Sequence, residues 1–233
     1  MEQTRSGFVA IVGKPNVGKS SLLNRFLGEK LAIVSSKPQT TRNRITGVLT
    51  DGRDQIVFID TPGLHKPRTK LGEYMVEQVH DSVADVDAVL FVAEPEGEIA
   101  ASERDLVDTF GKLGVPVVLV INKIDTILEK ERLLARIAQL SALYAFDAVI
   151  PVSAQTGEGV EELLAQIKGY LYEGPHFFPE DTLTDQPERV IVSEIVREKL
   201  LRNLRDEIPH GTAVSVEKMR EREQSDMMDI DVT

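Results

Sequence analysis

Residues 13–20 read Gly-Lys-Pro-Asn-Val-Gly-Lys-Ser, directly after the apolar run Phe-Val-Ala-Ile-Val at 8–12. The spacing Gly-x-x-x-x-Gly-Lys-Ser between a strand and a helix predicts a phosphate-binding P-loop. Gly13 and Gly18 allow the backbone to turn its N–H groups toward phosphate oxygens. Lys19 is expected to reach the β- and γ-phosphates, and the Ser20 hydroxyl to ligate Mg²⁺. The stretch therefore predicts a site for a nucleoside triphosphate.

The segment after this loop reads as an amphipathic helix over roughly 19–27 that ends at Gly28. Its N-terminus directs the positive end of the helix dipole at the same anion. The alternative, a glycine-rich turn that matches by chance, is disfavoured by the preceding strand and by the apolar stripe of this helix. The other residues predicted to contact the nucleotide here are Lys14, Pro15, Asn16, Val17 and Ser21.

A second motif, Asn122-Lys123-Ile124-Asp125, follows the apolar run 115–121 and predicts the base. The Asp125 carboxylate can accept hydrogen bonds from N1–H and the exocyclic amine of guanine, whereas adenine leaves it unpaired. Sites built on such pairing discriminate by roughly 10⁴-fold or more. Ser153 and Ala154, after a strand at 147–152, are expected to add a backbone N–H contact to guanine O6. The alternative reading of each motif alone is a polar loop; together with the P-loop they predict GTP and GDP.

The run Asp60-Thr61-Pro62-Gly63 follows a strand at 55–60 and predicts a nucleotide-sensing loop. Asp60 is expected to hold Mg²⁺ through a water, and the Gly63 N–H to touch the γ-phosphate. A contact made only when that phosphate is present orders such a loop, and hydrolysis releases it. Upstream, Thr41 is favoured over Thr40 as the threonine that completes the Mg²⁺ shell, although either could lie in a solvated loop.

These motifs, in the order Gly-x-Pro-Asn-Val-Gly-Lys-Ser, Gln-Thr-Thr-Arg, Asp-Thr-Pro-Gly-Leu, Asn-Lys-Ile-Asp and Ser-Ala, resemble the Era group of translation-factor-class GTPases. The run at 196–210 carries the resemblance to that group specifically. The resemblance implies a Ras-like G domain and a GTP-hydrolysing switch. It also implies a type II KH domain that binds 16S rRNA during assembly of the small (30S) ribosomal subunit, and a monomer in the cytoplasm with a peripheral association with the inner membrane.

The composition fits this class: 233 residues, 42% hydrophobic and 28% charged, are ordinary for a globular protein. The chain has no cysteine, which excludes disulfides and fits a reducing cytosol. No apolar stretch approaches the ~20 residues of a membrane span, and the N-terminus lacks a signal pattern. The net charge of −11 argues against a nonspecific nucleic-acid binder, because phosphate contacts dominate that affinity.

Apolar runs of strand length alternate with segments of helical period, which predicts an α/β fold with a mostly parallel sheet covered by helices on both faces. Asp51-Gly52 predicts a hairpin between its two flanking strands. Helices are expected at 68–83, 100–112, 129–143 and 158–172. The predicted division is a G domain at 1–172, a linker at 173–189 pinned by Phe177 and Phe178, and a partial KH-like domain at 190–233.

The C-terminal segment has apolar residues every four positions from Val192 to Ile208, which predicts an amphipathic helix. On spacing alone, its basic residues, Arg197 among them, are expected on a solvated face. Era-group KH domains clamp RNA with a Gly-x-x-Gly loop, and the only glycine here beyond the linker is Gly211. The segment is therefore expected to be poorly ordered, misfolded or packed on the G domain. The alternative function is a nucleotide-gated protein- or membrane-binding module without RNA binding.

For hydrolysis, the predicted catalytic residues are Lys19, Asn16, Thr41 and Gly63, with Mg²⁺ at Ser20, Thr41 and Asp60. Ras-like switches orient the attacking water with a glutamine at the position that is Leu64 here, and a leucine side chain cannot do so. His65 is adjacent but is more often a bystander in such a loop. The resemblance implies another route, in which Asn16 recruits a K⁺ ion to the place of an arginine finger.

Overall fold

The computed structural model describes residues 3–34, 45–61, 86–203, 213–222 and 227–233. In the part of the chain that the structure describes, one sheet has seven strands, of which six lie in the order β2-β3-β1-β4-β5-β6 and a short seventh pairs with β1. The six strands are β1 (Arg5–Gly13), β2 (Ile45–Asp51), β3 (Asp54–Asp60), β4 (Ala88–Ala93), β5 (Val117–Ile121) and β6 (Ala148–Pro151). All neighbours among these six are parallel except β2 and β3, which form the predicted hairpin around Gly52 with a φ of 60°. The mostly parallel α/β sheet is confirmed.

Among the described residues, four helices cover this sheet: α1 (Lys19–Leu27), α2 (Ala101–Phe110), α3 (Lys130–Ser141) and α4 (Val160–Lys168). Apolar residues of α1 and α4, among them Phe26 and Leu163, pack on one face. Residues of α2 and α3, among them Phe110 and Leu140, pack on the other. The central strands are buried on both faces, which explains why their sequences are continuous apolar runs. The predicted helix at 68–83 lies outside the described residues.

The end of the predicted helix at 158–172 is wrong, because α4 stops at Lys168 and a short strand, β7 (Tyr172–Glu173), follows. β7 pairs antiparallel with Arg5 and Ser6 of β1. β4 pairs with β1 only from Val9 onward, so the start of β1 leaves a free edge on that side. The two residues of β7 cover this edge. Their sequence alone does not predict a strand.

The predicted linker runs along the sheet rather than away from it. Gln55 is fully buried; its Oε1 accepts hydrogen bonds from the N–H groups of Phe177 (2.7 Å) and Phe178 (2.9 Å). The Phe177 ring lies 4.7 Å from that of Phe8. Further along, Val48 on edge strand β2 donates to Leu183 O at 2.8 Å. The two phenylalanines therefore do pin the segment, mostly through their backbone.

Beyond this segment the structure has α5 (Glu188–Asn203) and a hairpin of β8 (Val216–Glu221) and β9 (Met228–Val232). The predicted solvated position of Arg197 is wrong: this residue is 3% exposed and its guanidinium contacts Glu194 at 2.6 Å. Glu198 is also buried and pairs with Lys30 of the segment after α1 at 2.5 Å. Burial of charge is tolerated here because partners accompany it. Within the described ranges, no helix is both long and apolar enough to cross a bilayer.

Candidate functional site

The predicted motifs meet at one edge of the sheet, because each follows the carboxyl end of a parallel strand. The P-loop follows β1, Asp60 ends β3, Asn122 follows β5 and Ser153 follows β6. In open α/β sheets this edge is where ligands bind. Residues far apart in the chain are thus brought to one place by the topology alone.

The two P-loop glycines are required by both conformation and space. Gly13 has a φ of 146° and Gly18 a φ of 97°, in the region that disfavours side chains. A Cβ on Gly13 would collide with the carbonyl of Val92, and one on Gly18 with the Asn122 amide. Asn16 has a φ of 65°, a left-handed conformation in which asparagine is enriched. The backbone conformation alone therefore favours asparagine at position 16.

Lys19 is a buried ammonium that contacts backbone carbonyls of its own loop. It is 5% exposed, and Nζ donates to Gly13 O at 3.1 Å and to Lys14 O at 2.9 Å. Burial lowers its pKa to about 8, and the nearby Asp60 carboxylate opposes this. A phosphate bound in the loop supplies the negative charge that favours the ammonium form. The geometry thus prepares Lys19 for an anion.

Ser20 and Asp60 form the part of the predicted metal site that lies in the described residues. The Ser20 hydroxyl donates to Asp60 Oδ2 at 2.6 Å. The other oxygen, Oδ1, is buried and has no hydrogen-bond partner among the described residues. Buried polar atoms rarely lack a partner, and hydroxyl and carboxylate oxygens are the ligands that Mg²⁺ prefers. These residues therefore fit the ion.

The charged form of the buried Asp60 carboxylate is disfavoured by its surroundings. Burial raises its pKa to about 6, even though the Lys19 charge and the Ser20 hydroxyl act to lower it. Since the ordinary value is 3.8, the folded protein keeps this proton over a pH range in which the unfolded chain has lost it. Stability linked to Asp60 is thus full below its unfolded pKa and is lost as pH rises through about 6.

We therefore expect Asp60→Asn to stabilise the protein free of nucleotide and metal. At about pH 7.5 the gain in unfolding free energy should be about 3 kcal/mol, because one pKa unit corresponds to 1.36 kcal/mol. The difference in unfolding free energy between the variant and wild type should shrink as pH falls through about 6 toward about 4. Urea unfolding across this range measures it. A variant less stable than wild type at neutral pH would show that neighbouring groups of the protein compensate the Asp60 charge.

Asn122 joins the P-loop to the loop after β6. This residue is 1% exposed; Nδ2 donates to Val17 O at 2.8 Å, and Oδ1 accepts from Ala154 N at 3.0 Å. The amide is therefore used to hold three loops together, whereas the sequence suggested only a contact with the nucleotide. The N–H groups of Ser153 and Ala154 donate to Glu158 O and to Asn122. A contact of either with guanine O6 must share or release one of these bonds.

Asp125 is exposed, as a carboxylate that binds a base must be, and a hydrogen bond from Ser153 orients it. The Ser153 hydroxyl donates to Asp125 Oδ1 at 2.5 Å and accepts from Thr156 N at 3.0 Å. Ser153 thus has a side-chain role that the sequence did not indicate. Lys123 has a φ of 69°, and its Nζ contacts Glu94 Oε1 at 2.5 Å.

The remaining predicted residues divide into three groups. Val17 is 1% exposed and anchors the loop from inside, whereas Pro15 lies on the loop and Ser21 in the first turn of α1. Thr61 is buried and its hydroxyl donates to Ile11 O at 2.8 Å, so this hydroxyl holds the end of β3 to β1. The others lie outside the described residues: Thr40, Thr41, Pro62, Gly63, Leu64 and His65.

Comparison with known proteins decides the family. A family model described as "50S ribosome-binding GTPase" matches residues 8–123. The GTPase Era of Clostridioides difficile is 47% identical over 226 residues, which cover 97% of this chain and 76% of that protein. The chain belongs to the GTPase Era family. It is therefore a GTPase, and the resemblance of its motifs to the Era group is confirmed.

Solved Era structures agree with this fold. An Aquifex aeolicus Era variant bound to GDP·AlF₄⁻ superposes with a TM-score of 0.91 at 38% identity, covering 98% of this chain and 78% of that one. An Era complex with MgGDPNP and nucleotides 1506–1542 of 16S ribosomal RNA gives the same TM-score, identity and coverage. The Era fold thus extends over almost all of this chain.

Three charged residues around the Era-type site had no signal in the sequence: Glu94, Glu103 and Arg136. Glu103 and Arg136 are 1% and 3% exposed. Both lie in helices, where charged residues are usually solvated. Their partners are distant in the chain, so only the tertiary structure reveals that they form one network.

Proposed function

We propose that this Era-family GTPase binds GTP and GDP at the carboxyl edge of its sheet and acts as a slow molecular switch. The bridge made by Asn122 carries the proposal, since it fixes the phosphate loop and the Asp125 loop as parts of one site. Lys19 binds the phosphates and Asp125 reads guanine. Backbone groups from Gly13 through Ser21 surround the phosphates, the Gly63 N–H contacts the γ-phosphate, and Pro62 belongs to the same nucleotide-binding loop.

In this account Ser20, Thr41 and, through a water, Asp60 hold Mg²⁺, which neutralises charge on the phosphate oxygens. The chain's own contribution to hydrolysis is positioning and charge. Lys19 donates to oxygens that gain charge as the terminal phosphoryl group leaves, and Gly63 donates its N–H to the same group. Leu64 supplies no hydrogen bond to the attacking water. Intrinsic turnover is therefore expected to be on the order of 10⁻⁴–10⁻² s⁻¹.

We further propose that Asn16 recruits K⁺ beside the phosphates and so supplies positive charge without an arginine finger. The expected result is faster GTP turnover in KCl than in NaCl at equal ionic strength. Asn16→Gly preserves the left-handed backbone and removes the side-chain oxygen, so it should abolish the difference between the two salts. Equal wild-type rates in both salts would contradict K⁺ recruitment, and the left-handed backbone alone would then account for asparagine at position 16.

We propose that the same switch controls binding to 16S rRNA and to the small ribosomal subunit during its assembly. Support comes from the 38%-identical Era structure that contains a 16S fragment. The domains proposed for this role are the G domain at 1–172, the connecting segment at 173–189 and a KH-like region at 190–233. The net charge of −11 predicts that RNA binding depends on specific contacts.

Co-sedimentation with purified 30S and 50S subunits, in GTP and in GDP, tests this proposal. We expect retention on 30S particles that differs between the two nucleotides. Both subunits belong in the experiment because the matching family model is described by the 50S particle. No retention on 30S, together with nucleotide-dependent binding to anionic lipid vesicles or to a protein, would favour the alternative module without RNA binding.

A further inference from the structure

A network of charged residues links the P-loop to the guanine-reading loop. Lys14, within the P-loop, pairs with Glu103 near the start of α2, at 2.5 Å between Nζ and Oε2. Arg136 of α3 lies 3.9 Å from the other oxygen of Glu103. Arg136 also donates to Glu94 O at 3.2 Å and to Gly97 O at 2.8 Å. Glu94 in turn contacts Lys123 of the guanine-reading loop.

Burial separates the Glu103 and Arg136 part of this network from an ordinary surface ion pair, whereas the side chains of the Lys123–Glu94 pair are 36% and 42% exposed. Glu103 and Arg136 are 1% and 3% exposed, and Lys14 is one quarter exposed along its side chain. Removing one partner from a buried pair leaves an uncompensated charge and is far more disruptive than removing an exposed pair. The positions of these three side chains are therefore strongly constrained.

Glu103 makes two contacts through one carboxylate oxygen, and one of them connects it through Lys14 to Lys19. Its Oε2 accepts the Ala100 N–H at 2.8 Å, which caps the start of α2, and also meets the Lys14 ammonium. The same ammonium donates to Glu98 O at 2.9 Å. The backbone carbonyl of Lys14 accepts a hydrogen bond from Lys19 Nζ. Tethering the Lys14 side chain from outside the loop thus fixes the peptide against which Lys19 rests.

We propose that Glu103 and Arg136 are positioning residues, which hold the P-loop and the guanine-reading loop at their working distance without touching the nucleotide. Glu103 acts on the phosphate side through Lys14. Arg136 acts on the base side through the 94–97 loop and Glu94. The inference rests on the proposed nucleotide site and adds to it two residues from α2 and α3.

The test is a double-mutant cycle on GDP affinity with Lys14→Met and Glu103→Gln. Glutamine keeps an oxygen for the Ala100 N–H but loses the charge that holds Lys14. Each single variant should bind GDP roughly five- to twentyfold more weakly, and the double variant little more weakly than either, because contacting residues couple. Arg132→Met is the matched control: Arg132 also lies on α3, but its pair with Glu96 is exposed and it should leave GDP affinity unchanged.

Thermal melting of each variant separates positioning from mere stabilisation. A Glu103→Gln protein that melts earlier but, when folded, binds GDP as tightly as wild type would reduce Glu103 to a helix cap and overturn the proposal. The proposal would also be overturned if the double variant lost as much GDP-binding free energy as the two single variants lose together. Arg136→Met should weaken GDP binding, and Arg136→Lys should recover part of it. Failure of wild type itself to bind GDP would instead refute the proposed function, so the two failures are distinct.

Discussion

Lys19→Met is expected to weaken GTP binding by at least about a hundredfold and to remove detectable hydrolysis, because two charge-assisted hydrogen bonds to phosphate oxygens are lost at roughly 1.5–3 kcal/mol each. Methionine keeps most of the buried stem, so the site retains its packing. Titration with a fluorescent GTP analogue and single-turnover hydrolysis measure the two effects. The effect is large because Lys19 is already desolvated before the nucleotide arrives.

Lys112→Met is the matched control for that variant, since Lys112 is an exposed lysine just after α2. It should bind and hydrolyse GTP as wild type does. Burial lowers the pKa of Lys19 to about 8, so the Lys19 variant should also be more stable than nucleotide-free wild type below about pH 8, and this gain should fade as pH rises from about 8 toward the ordinary value of 10.5. Wild-type affinity in Lys19→Met would show that the loop's backbone N–H groups alone hold the phosphates.

Asp125→Asn is expected to exchange the base preference of the site. The Ser153 hydroxyl donates to Asp125 Oδ1, so an amide placed there should turn its oxygen to Ser153 and its NH₂ toward the base. That group repels the N1–H and amine of guanine but donates to the C2 carbonyl of xanthine. GDP affinity should fall by roughly 10³-fold or more, with XDP gaining, because buried polar groups without partners dominate such selectivity.

Competition binding with GDP, XDP and ADP measures this exchange. Asp108→Asn, an exposed aspartate of α2, is the control and should keep the wild-type preference. Ser153→Ala should weaken selectivity for guanine in part, since Asp125 then loses the donor that orients it. Loss of all nucleotide binding in Asp125→Asn, with XDP included, would show that this carboxylate supports the fold of its loop rather than reading the base.

The parts of this molecule that the sequence predicted are those with short-range signals. The P-loop lies between an apolar strand and an amphipathic helix, and both features are visible within residues 8–27. The carboxyl ends of parallel strands must share one edge, so the alternation of elements already placed Asp60, Asn122 and Ser153 together. The hairpin at Gly52 followed from a turn preference.

The parts that the sequence missed depend on partners far along the chain. β7 exists because the start of β1 leaves an edge open, and nothing within Tyr172–Glu173 encodes that edge. Arg197 carries a charge typical of a solvated face, yet it is buried and pairs with Glu194, while the next residue, Glu198, pairs with Lys30. Glu103 and Arg136 are indistinguishable from surface charges until the P-loop packs beside them. Periodicity reports which face is apolar, not which charges find buried partners.

The most direct test of the guanine-specific site is calorimetric titration of the nucleotide-free wild-type protein with GDP, IDP and ADP in the presence of Mg²⁺. GDP should bind tightly. IDP, which lacks the exocyclic amine, should bind about ten- to a hundredfold more weakly, and ADP roughly 10⁴-fold more weakly, because Asp125 then loses one or both of its hydrogen bonds. Equal affinity for GDP and ADP would contradict the assignment of Asp125 and with it the account of the site.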